Sequence, residues 1–211
     1  MQNPTRKPPT SYSQFFTVIE VKEFLHLSTV EGVCFLLDVP PVEPSLALRE
    51  YLTETIPIAV ASGSEKAKSE LIVTPVLVEV RRFLERQVSF FSGEDFTVDE
   101  SLGLKGRCDF LLSRSPEMLA IEAPVVIIVE AKQADLKTGL GQCLAEMVAA
   151  QRFNQEHNQQ ISTIYGSVSN GTQWQFLKLE GQTATIDLSV YSLPPVEQIL
   201  GFLVWMVQQN L

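Results

Sequence analysis

The sequence predicts a mixed α/β domain in which helices flank a central β-sheet. An unbroken apolar run, residues 124–129, is typical of a strand that is buried on both faces. Three later segments rich in β-branched and aromatic residues are separated by the turn sequences Asn170-Gly171 and Gly181-Gln182, which favours a meander of strands. Two long segments, 65–87 and 135–157, carry apolar residues at helical spacing and are predicted helices.

The bulk composition excludes several classes of protein. With 45% apolar and 19% charged residues in 211, the chain has enough apolar side chains for a buried core and does not have the composition of a disordered protein. The net charge of −9 argues against a broadly basic nucleic-acid-binding surface. No apolar run approaches about 20 residues, so no membrane-spanning segment is predicted.

The number and spacing of the cysteines indicate the cellular compartment of the protein. There are three of them, an odd number without short spacing, which argues against a disulfide framework or a zinc site. Free thiols fit a reducing environment, so the predicted location is the cytoplasm.

The chain divides into three predicted parts. Residues 1–10 are a polar, disordered tail, residues 11–62 are an N-terminal extension packed on the core, and residues 63–211 form the main domain. Within the extension the predicted elements are a helix capped by Ser11 or Ser13, a helix that ends near residue 54, and two strands, 33–37 and 56–61.

A last helix is predicted after Pro194-Pro195. Its apolar stripe leaves further apolar residues, Phe202, Trp205 and Met206, on the other side. This surplus suggests a homodimer formed through the C-terminal helix, while burial within the same chain is the alternative.

Charged residues follow the apolar run directly. Glu130 and Lys132 are two positions apart, so along a strand they project to the same face, about 6.6 Å apart. Upstream, segment 104–112 alternates as a half-buried strand and carries Asp109, and the short link between the two segments favours antiparallel neighbours. Two carboxylates beside an ammonium form a suitable site for a hard divalent cation.

This pattern resembles the PD-(D/E)xK nuclease superfamily. Asp109 is followed, after twenty intervening residues, by Glu130-Ala131-Lys132 at the end of an apolar strand. Over residues 64–180 the chain is similar to the nuclease domain of type I restriction enzyme motor subunits and their stand-alone relatives, through Gly106-Arg107-Cys108-Asp109, Gln142 in the next helix, and Ser169-Asn170-Gly171 with Trp174. The resemblance implies a restriction-endonuclease-like core and metal-dependent hydrolysis of phosphodiester bonds in nucleic acid, with DNA the expected substrate.

The resemblance also implies roles for the residues that match the motif. Asp109, Glu130 and the main-chain carbonyl of Ala131 would hold Mg²⁺ or Mn²⁺, and Lys132 would orient the attacking water. Gln142 would help to position the scissile phosphate or the lysine, although its helical angle points away from the main apolar side, which equally suits a surface glutamine.

Four further residues are candidates for the site. A glutamate from the first core helix often reaches the metal in this family, and Glu70 is the candidate here, with a solvated or lysine-paired residue as the alternative. Arg107 shares a face with Asp109, and with Lys105 and Lys137 it is expected to hold backbone phosphates.

Two other interpretations stay open. One alternative interpretation is that Glu130 and Lys132 form a structural ion pair at the end of a strand. A nuclease-like fold without catalytic activity, serving as a binding or protein-interaction module, is the functional alternative, and the acidic net charge favours it.

Overall fold

An eight-stranded mixed β-sheet forms the centre of the structure, a computed structural model that describes residues 9–209. The strands are β1 (Ser28–Glu31), β2 (Ser89–Asp95), β3 (Arg107–Ser113), β4 (Val125–Ala131), β5 (Thr163–Ser169), β6 (Gln173–Glu180), β7 (Thr183–Ile186) and β8 (Tyr191–Ser192). Their order is β1-β7-β6-β5-β4-β3-β2, and β8 pairs with the beginning of β6. The pairs β1/β7 and β4/β5 are parallel and the others antiparallel.

Helices cover both faces of this sheet, which confirms the predicted mixed α/β class. They are α1 (Val18–Phe24), α2 (Leu46–Ser62), α3 (Glu65–Lys68), α4 (Thr74–Phe83), α5 (Lys137–Glu156) and α6 (Glu197–Gln208). One apolar core lies between the sheet and α2, α4 and α6, and the other lies between the sheet and α5 with the N-terminal segment. The apolar strand β4 contributes to both cores, as expected for a strand buried on its two faces.

The N-terminal extension differs from its predicted elements. Thr17, in a capping box with Glu20, starts α1. Ser11 is the N-cap only of a 3-10 turn, Tyr12–Gln14, and its side chain makes no capping hydrogen bond. The strand is β1, not residues 33–37. The predicted helix and strand of residues 46–61 are one helix, α2, which continues through Pro57.

The N-terminal extension contributes both to the sheet and to the packing around α5. Its strand β1 adds to one edge of the sheet by pairing with β7, while Tyr12 and Phe15 are buried against α5. Residues 1–8 of the predicted tail lie outside the described residues.

The predicted helix 65–87 follows a continuous path but has three parts. Between α3 and α4 the hydrogen bonding widens to a π-helical turn, Ser69–Val73. Pro75, two positions after this turn, lacks the backbone N–H that a regular α-helix would use. The helix ends at Phe83, earlier than predicted.

The C-terminal helix α6 buries its apolar side chains within the same chain. Phe202 and Met206 are almost completely buried, and Trp205 packs against the core that contains α2 and α4. The apolar surplus therefore has an intrachain explanation, and the homodimer stays an untested prediction.

Among residues 9–209, no helix combines the length and the apolar character that crossing a membrane requires. Cys34, Cys108 and Cys143 are free thiols, two of them buried.

Candidate functional site

The candidate site lies where β3 and β4 separate. The two strands are antiparallel neighbours, as predicted, and their registered pairs end at Phe110 and Val129. The next position on β3 is Asp109, whose Oδ2 accepts a hydrogen bond from the backbone N–H of Ala131, 2.8 Å away. Because the N–H and C=O of one strand residue project to the same edge, the Ala131 carbonyl faces the same gap as Asp109.

Glu130 and Lys132 lie together on the face of the sheet that α5 covers. Lys132 Nζ forms an ion pair with Glu130 Oε1, and the two side chains are 19% and 1% exposed. The predicted pairing of acid and base on one face is therefore present. Gly139 of α5 leaves room for the lysine, since a Cβ at that position would lie 3.0 Å from Lys132 Cε.

Helix α5 adds two polar side chains to this acidic group. Gln142 Nε2 lies 3.0 Å from Glu130 Oε2 and 3.1 Å from Glu146 Oε1. Gln142 is half-buried and its amide contacts Glu130 of β4, although the apolar stripe placed it on the opposite side of the helix. The reason is that the N-terminal segment crosses α5 at Gly141, so the helix is buried on more than one side.

Glu130 and Glu146 are buried, and they repel each other and the half-buried Asp109. Burial, together with the negative charges of Glu146 and Asp109, raises the pKa of Glu130 well above its ordinary value. Burial also raises the pKa of Glu146, to about 8. For Lys132, burial alone would lower the pKa, but the adjacent Glu130 charge raises it overall, so the ammonium form is favoured.

A cavity of about 260 Å³ opens beside Asp109. Glu65, Lys66, Glu70 and Ser92 are among the residues that line it. Glu70 is 58% exposed and forms an ion pair with Lys66, 2.6 Å apart, so the lysine-paired alternative describes its present contact. A role for Glu70 as a metal ligand stays a prediction.

The three predicted phosphate-binding residues lie on β3, in the segment before it, and in the first turn of α5. Arg107 is exposed and precedes Asp109 by two positions on β3. Lys105 is paired with Glu100 at 2.8 Å, and Lys137 is exposed in the first turn of α5. Each can reach solvent, and no contact ties any of them to the acidic group.

The oxygen donors of the candidate site are suited to a hard divalent cation. Within the described residues, no three His, Cys, Asp or Glu side chains are grouped in a way that could hold a metal. The available ligands are therefore two carboxylates, Asp109 and Glu130, and the Ala131 carbonyl. These are hard oxygen donors, and Mg²⁺ commonly binds through one or two carboxylates while it keeps several waters, so the residues fit this ion.

Glu146 and Gly139 contact the predicted site residues but were not predicted to belong to the site. A usable signal for Glu146 was present, since it follows Gln142 by four positions inside the nearly uninterrupted apolar segment 143–150, where a glutamate must be buried. Gly139 gives no comparable signal, because its role depends on the position of Lys132.

No protein-family model, curated protein or solved structure matches this chain. The superfamily resemblance stays a prediction based on the residues and their geometry.

Proposed function

We propose that this protein is a cytoplasmic, divalent-metal-dependent nuclease that hydrolyses phosphodiester bonds, with DNA as the substrate. One observation supports the proposal above all others: Asp109, Glu130 and Lys132 converge where β3 and β4 separate, although 20 residues intervene between the two acids. Strand geometry alone would accommodate apolar side chains there, and burying Glu130 with Lys132 and Asp109 half-buried beside it costs free energy.

In this proposal each group has a separate task. Asp109 and Glu130, with the Ala131 carbonyl, would hold Mg²⁺ or Mn²⁺, which when bound supplies positive charge at the scissile phosphate and makes water a better nucleophile. Lys132 would orient the attacking water and stabilise negative charge in the transition state. Arg107, Lys105 and Lys137 would bind backbone phosphates on either side.

Gln142 fixes the orientation of the Glu130 carboxylate through its hydrogen bond to Oε2. With Lys132 on Oε1, both oxygens of Glu130 have a defined neighbour, so the carboxylate cannot rotate freely. A ligand held in this way loses less entropy when the cation binds.

Metal-dependent cleavage of a panel of single- and double-stranded DNA and RNA tests the proposal. Wild type should cleave at least one substrate with Mg²⁺ or Mn²⁺ and lose the activity when the metal is chelated. Lys132→Ala should lower the rate at least about 100-fold, since general acid-base and electrostatic groups contribute this much.

Lys178→Ala is the matched control. Lys178 also lies on a central strand, pairs with a glutamate two positions away at 2.7 Å, and is similarly buried at 23% exposure. Its replacement should leave cleavage unchanged. Activity that survives both Lys132→Ala and Asp109→Asn would exclude this site as the catalytic one.

A binding module without catalytic activity is the second candidate function. The direct contact between Lys132 and Glu130 favours it, because each group then satisfies the charge of the other inside the protein. Calorimetry with Mn²⁺ separates the two functions: a nuclease should bind the ion and lose binding in Asp109→Asn, whereas a binding module should show no such difference.

A further inference from the structure

We infer that Glu146 is a positioning residue that fixes the side-chain amide of Gln142 against Glu130. The inference deepens the proposed nuclease function and rests on it. It starts from the position of the amide nitrogen, which lies within hydrogen-bonding distance of one oxygen of each carboxylate.

The two contacts determine which way the Gln142 amide points. An amide nitrogen carries two hydrogens, and here one is donated to Glu130 and the other to Glu146. Rotating the amide by half a turn would place its oxygen against Glu130 Oε2, next to the Glu130–Lys132 ion pair, and would remove the hydrogen bond that Gln142 donates to Glu146 Oε1. Glu146 therefore restrains the amide in the orientation in which it donates to Glu130.

Stability does not explain a glutamate at this position. Glu146 is fully buried, and its Oε2 has no hydrogen-bond partner within residues 9–209. The thiol of Cys108 is near enough to favour the charged carboxylate but is a weak donor without normal hydrogen-bond geometry. A buried oxygen of this kind costs free energy, and an apolar side chain of similar volume would avoid the cost.

The residues around Glu146 on α5 are otherwise small or apolar. The neighbouring positions of α5 carry small or apolar side chains that are all buried: Cys143, Leu144, Ala145, Met147, Val148, Ala149 and Ala150. The one ionisable carboxylate in this stretch is also the residue that contacts Gln142, four positions earlier on the same face. Its hydrogen bond with Gln142 thus leads, through one amide, to Glu130.

Two substitutions separate positioning from other roles. Glu146→Met removes the acceptor for Gln142 and keeps the volume, whereas Glu146→Gln keeps an acceptor oxygen. We expect Glu146→Met to lower kcat about 10- to 100-fold, the usual effect of removing a group that orients a metal ligand, with little change in KM. Glu146→Gln should recover most of that loss.

A double substitution tests whether Glu146 acts through Gln142. If it does, Glu146→Met should have no further effect in a Gln142→Met background, so the two losses should not add. Fully additive losses would overturn the inference, because they would show that Glu146 acts on the site directly.

The amide itself provides a measurement that does not need activity. In wild type both side-chain N–H protons of Gln142 should give shifted NMR signals and exchange slowly with solvent. Glu146→Met should release one of them and Glu146→Gln should not; signals that are the same in all three proteins would overturn the inference. Inactivity of wild type with a normal amide response would instead refute only the nuclease proposal.

Thermal unfolding completes the test. Glu146→Met should unfold at the same temperature as wild type or higher. A protein that unfolds clearly earlier, or does not fold, would show that the carboxylate is structural and would overturn the inference.

Discussion

The aliphatic part of the Lys132 side chain passes through a space that a glycine at position 139 leaves open. A Cβ added there would lie 2.7 Å from Val168 Cγ1 and 3.0 Å from Lys132 Cγ and Cε. We expect Gly139→Ala to destabilise the protein by about 1–3 kcal/mol, because overpacking outweighs the gain of about 1 kcal/mol in helix propensity. Denaturant unfolding measures the difference in free energy of unfolding.

A second substitution identifies the side chain that would be overpacked by a Cβ at position 139. Val168 is fully buried, and Val168→Ala would remove the closest contact. In that background Gly139→Ala should cost less than it does alone. Thr138→Ala, at the exposed neighbouring position of α5, is the control and should change stability little. A Gly139→Ala protein more stable than wild type would contradict the packing argument.

At the scale of single residues, the charged residues of the site could be predicted from the sequence, but the residues that support them could not. Asp109, Glu130 and Lys132 could be found because charges beside a buried strand are unusual and their spacing is regular. Gln142 was named, yet its helical angle pointed the wrong way, because the angle takes no account of the N-terminal segment that covers the far side of α5. Gly139 could not be recognised, since its importance depends on a contact between distant parts of the chain.

Helices α2 and α4 are joined by one buried carboxylate. Glu79 of α4 accepts hydrogen bonds from the backbone N–H of Ser45, at 2.6 Å, and from its hydroxyl, at 3.1 Å, and Ser45 is the N-cap of α2. Arg82 completes the contact through Nε and Nη2, at 2.8 Å and 2.7 Å from the carboxylate. The carboxylate thus holds the start of one helix to the middle of the other.

This contact makes the stability of the protein depend on pH. The hydrogen bonds from Arg82, and those from Ser45, lower the pKa of Glu79 in the folded state despite its burial. A lowered pKa contributes stability that is present in full above the unfolded value of about 4.5 and is lost as the pH falls through the folded value.

We expect Glu79→Gln to destabilise the protein by about 1.5–3 kcal/mol at neutral pH, the range for hydrogen bonds to a charged group. The difference from wild type should shrink as the pH falls below about 4.5. Urea unfolding at several pH values measures it, and Glu43→Gln, at an exposed acid paired with Arg49, is the control. A difference that is constant over the whole range would contradict the role of the charge.

The elements that could be predicted from the sequence are those with a strong local pattern. The strands β3, β4, β5 and β6 and the helix α5 were found because their apolar periodicity is long or continuous. The sequence predicts a helix followed by a strand in place of α2, because Ile56, Ile58 and Val60 alternate around Pro57 as in a strand. In the structure the buried residues of α2 are spread over its whole length. Tertiary packing against α4 and the π-helical turn overrides this local pattern.

For the whole molecule, the distribution of charge limits how DNA could bind. The net charge is −9, so a DNA backbone is repelled over most of the surface. Arg107, Lys105 and Lys137 are the predicted phosphate-binding residues, and Lys105 is already paired with Glu100. Lys66, which lines the cavity beside Asp109, is paired with Glu70. Any affinity must therefore come from few phosphate contacts and from the metal ion.

The number of phosphate contacts sets the salt dependence of binding. Each contact to duplex DNA contributes about −0.9 to the slope of log K against log salt concentration. If Arg107, Lys105 and Lys137 make the phosphate contacts, the slope for Asp109→Asn, which should bind but not cleave, is expected to be no steeper than about −3. Fluorescence anisotropy with a labelled duplex over a series of salt concentrations measures it.

Single substitutions show which residues contribute to the salt dependence of binding. Arg107→Ala should make the slope shallower by about 1, since one phosphate contact is lost. Lys22→Ala removes the same charge near β1, at the opposite edge of the sheet from β3, and should leave the slope unchanged. Equal effects of both substitutions would mean that only the net charge matters and that DNA does not approach through this site. A slope much steeper than −3 would require a basic surface other than the one formed by these three residues, because their charges cannot account for it.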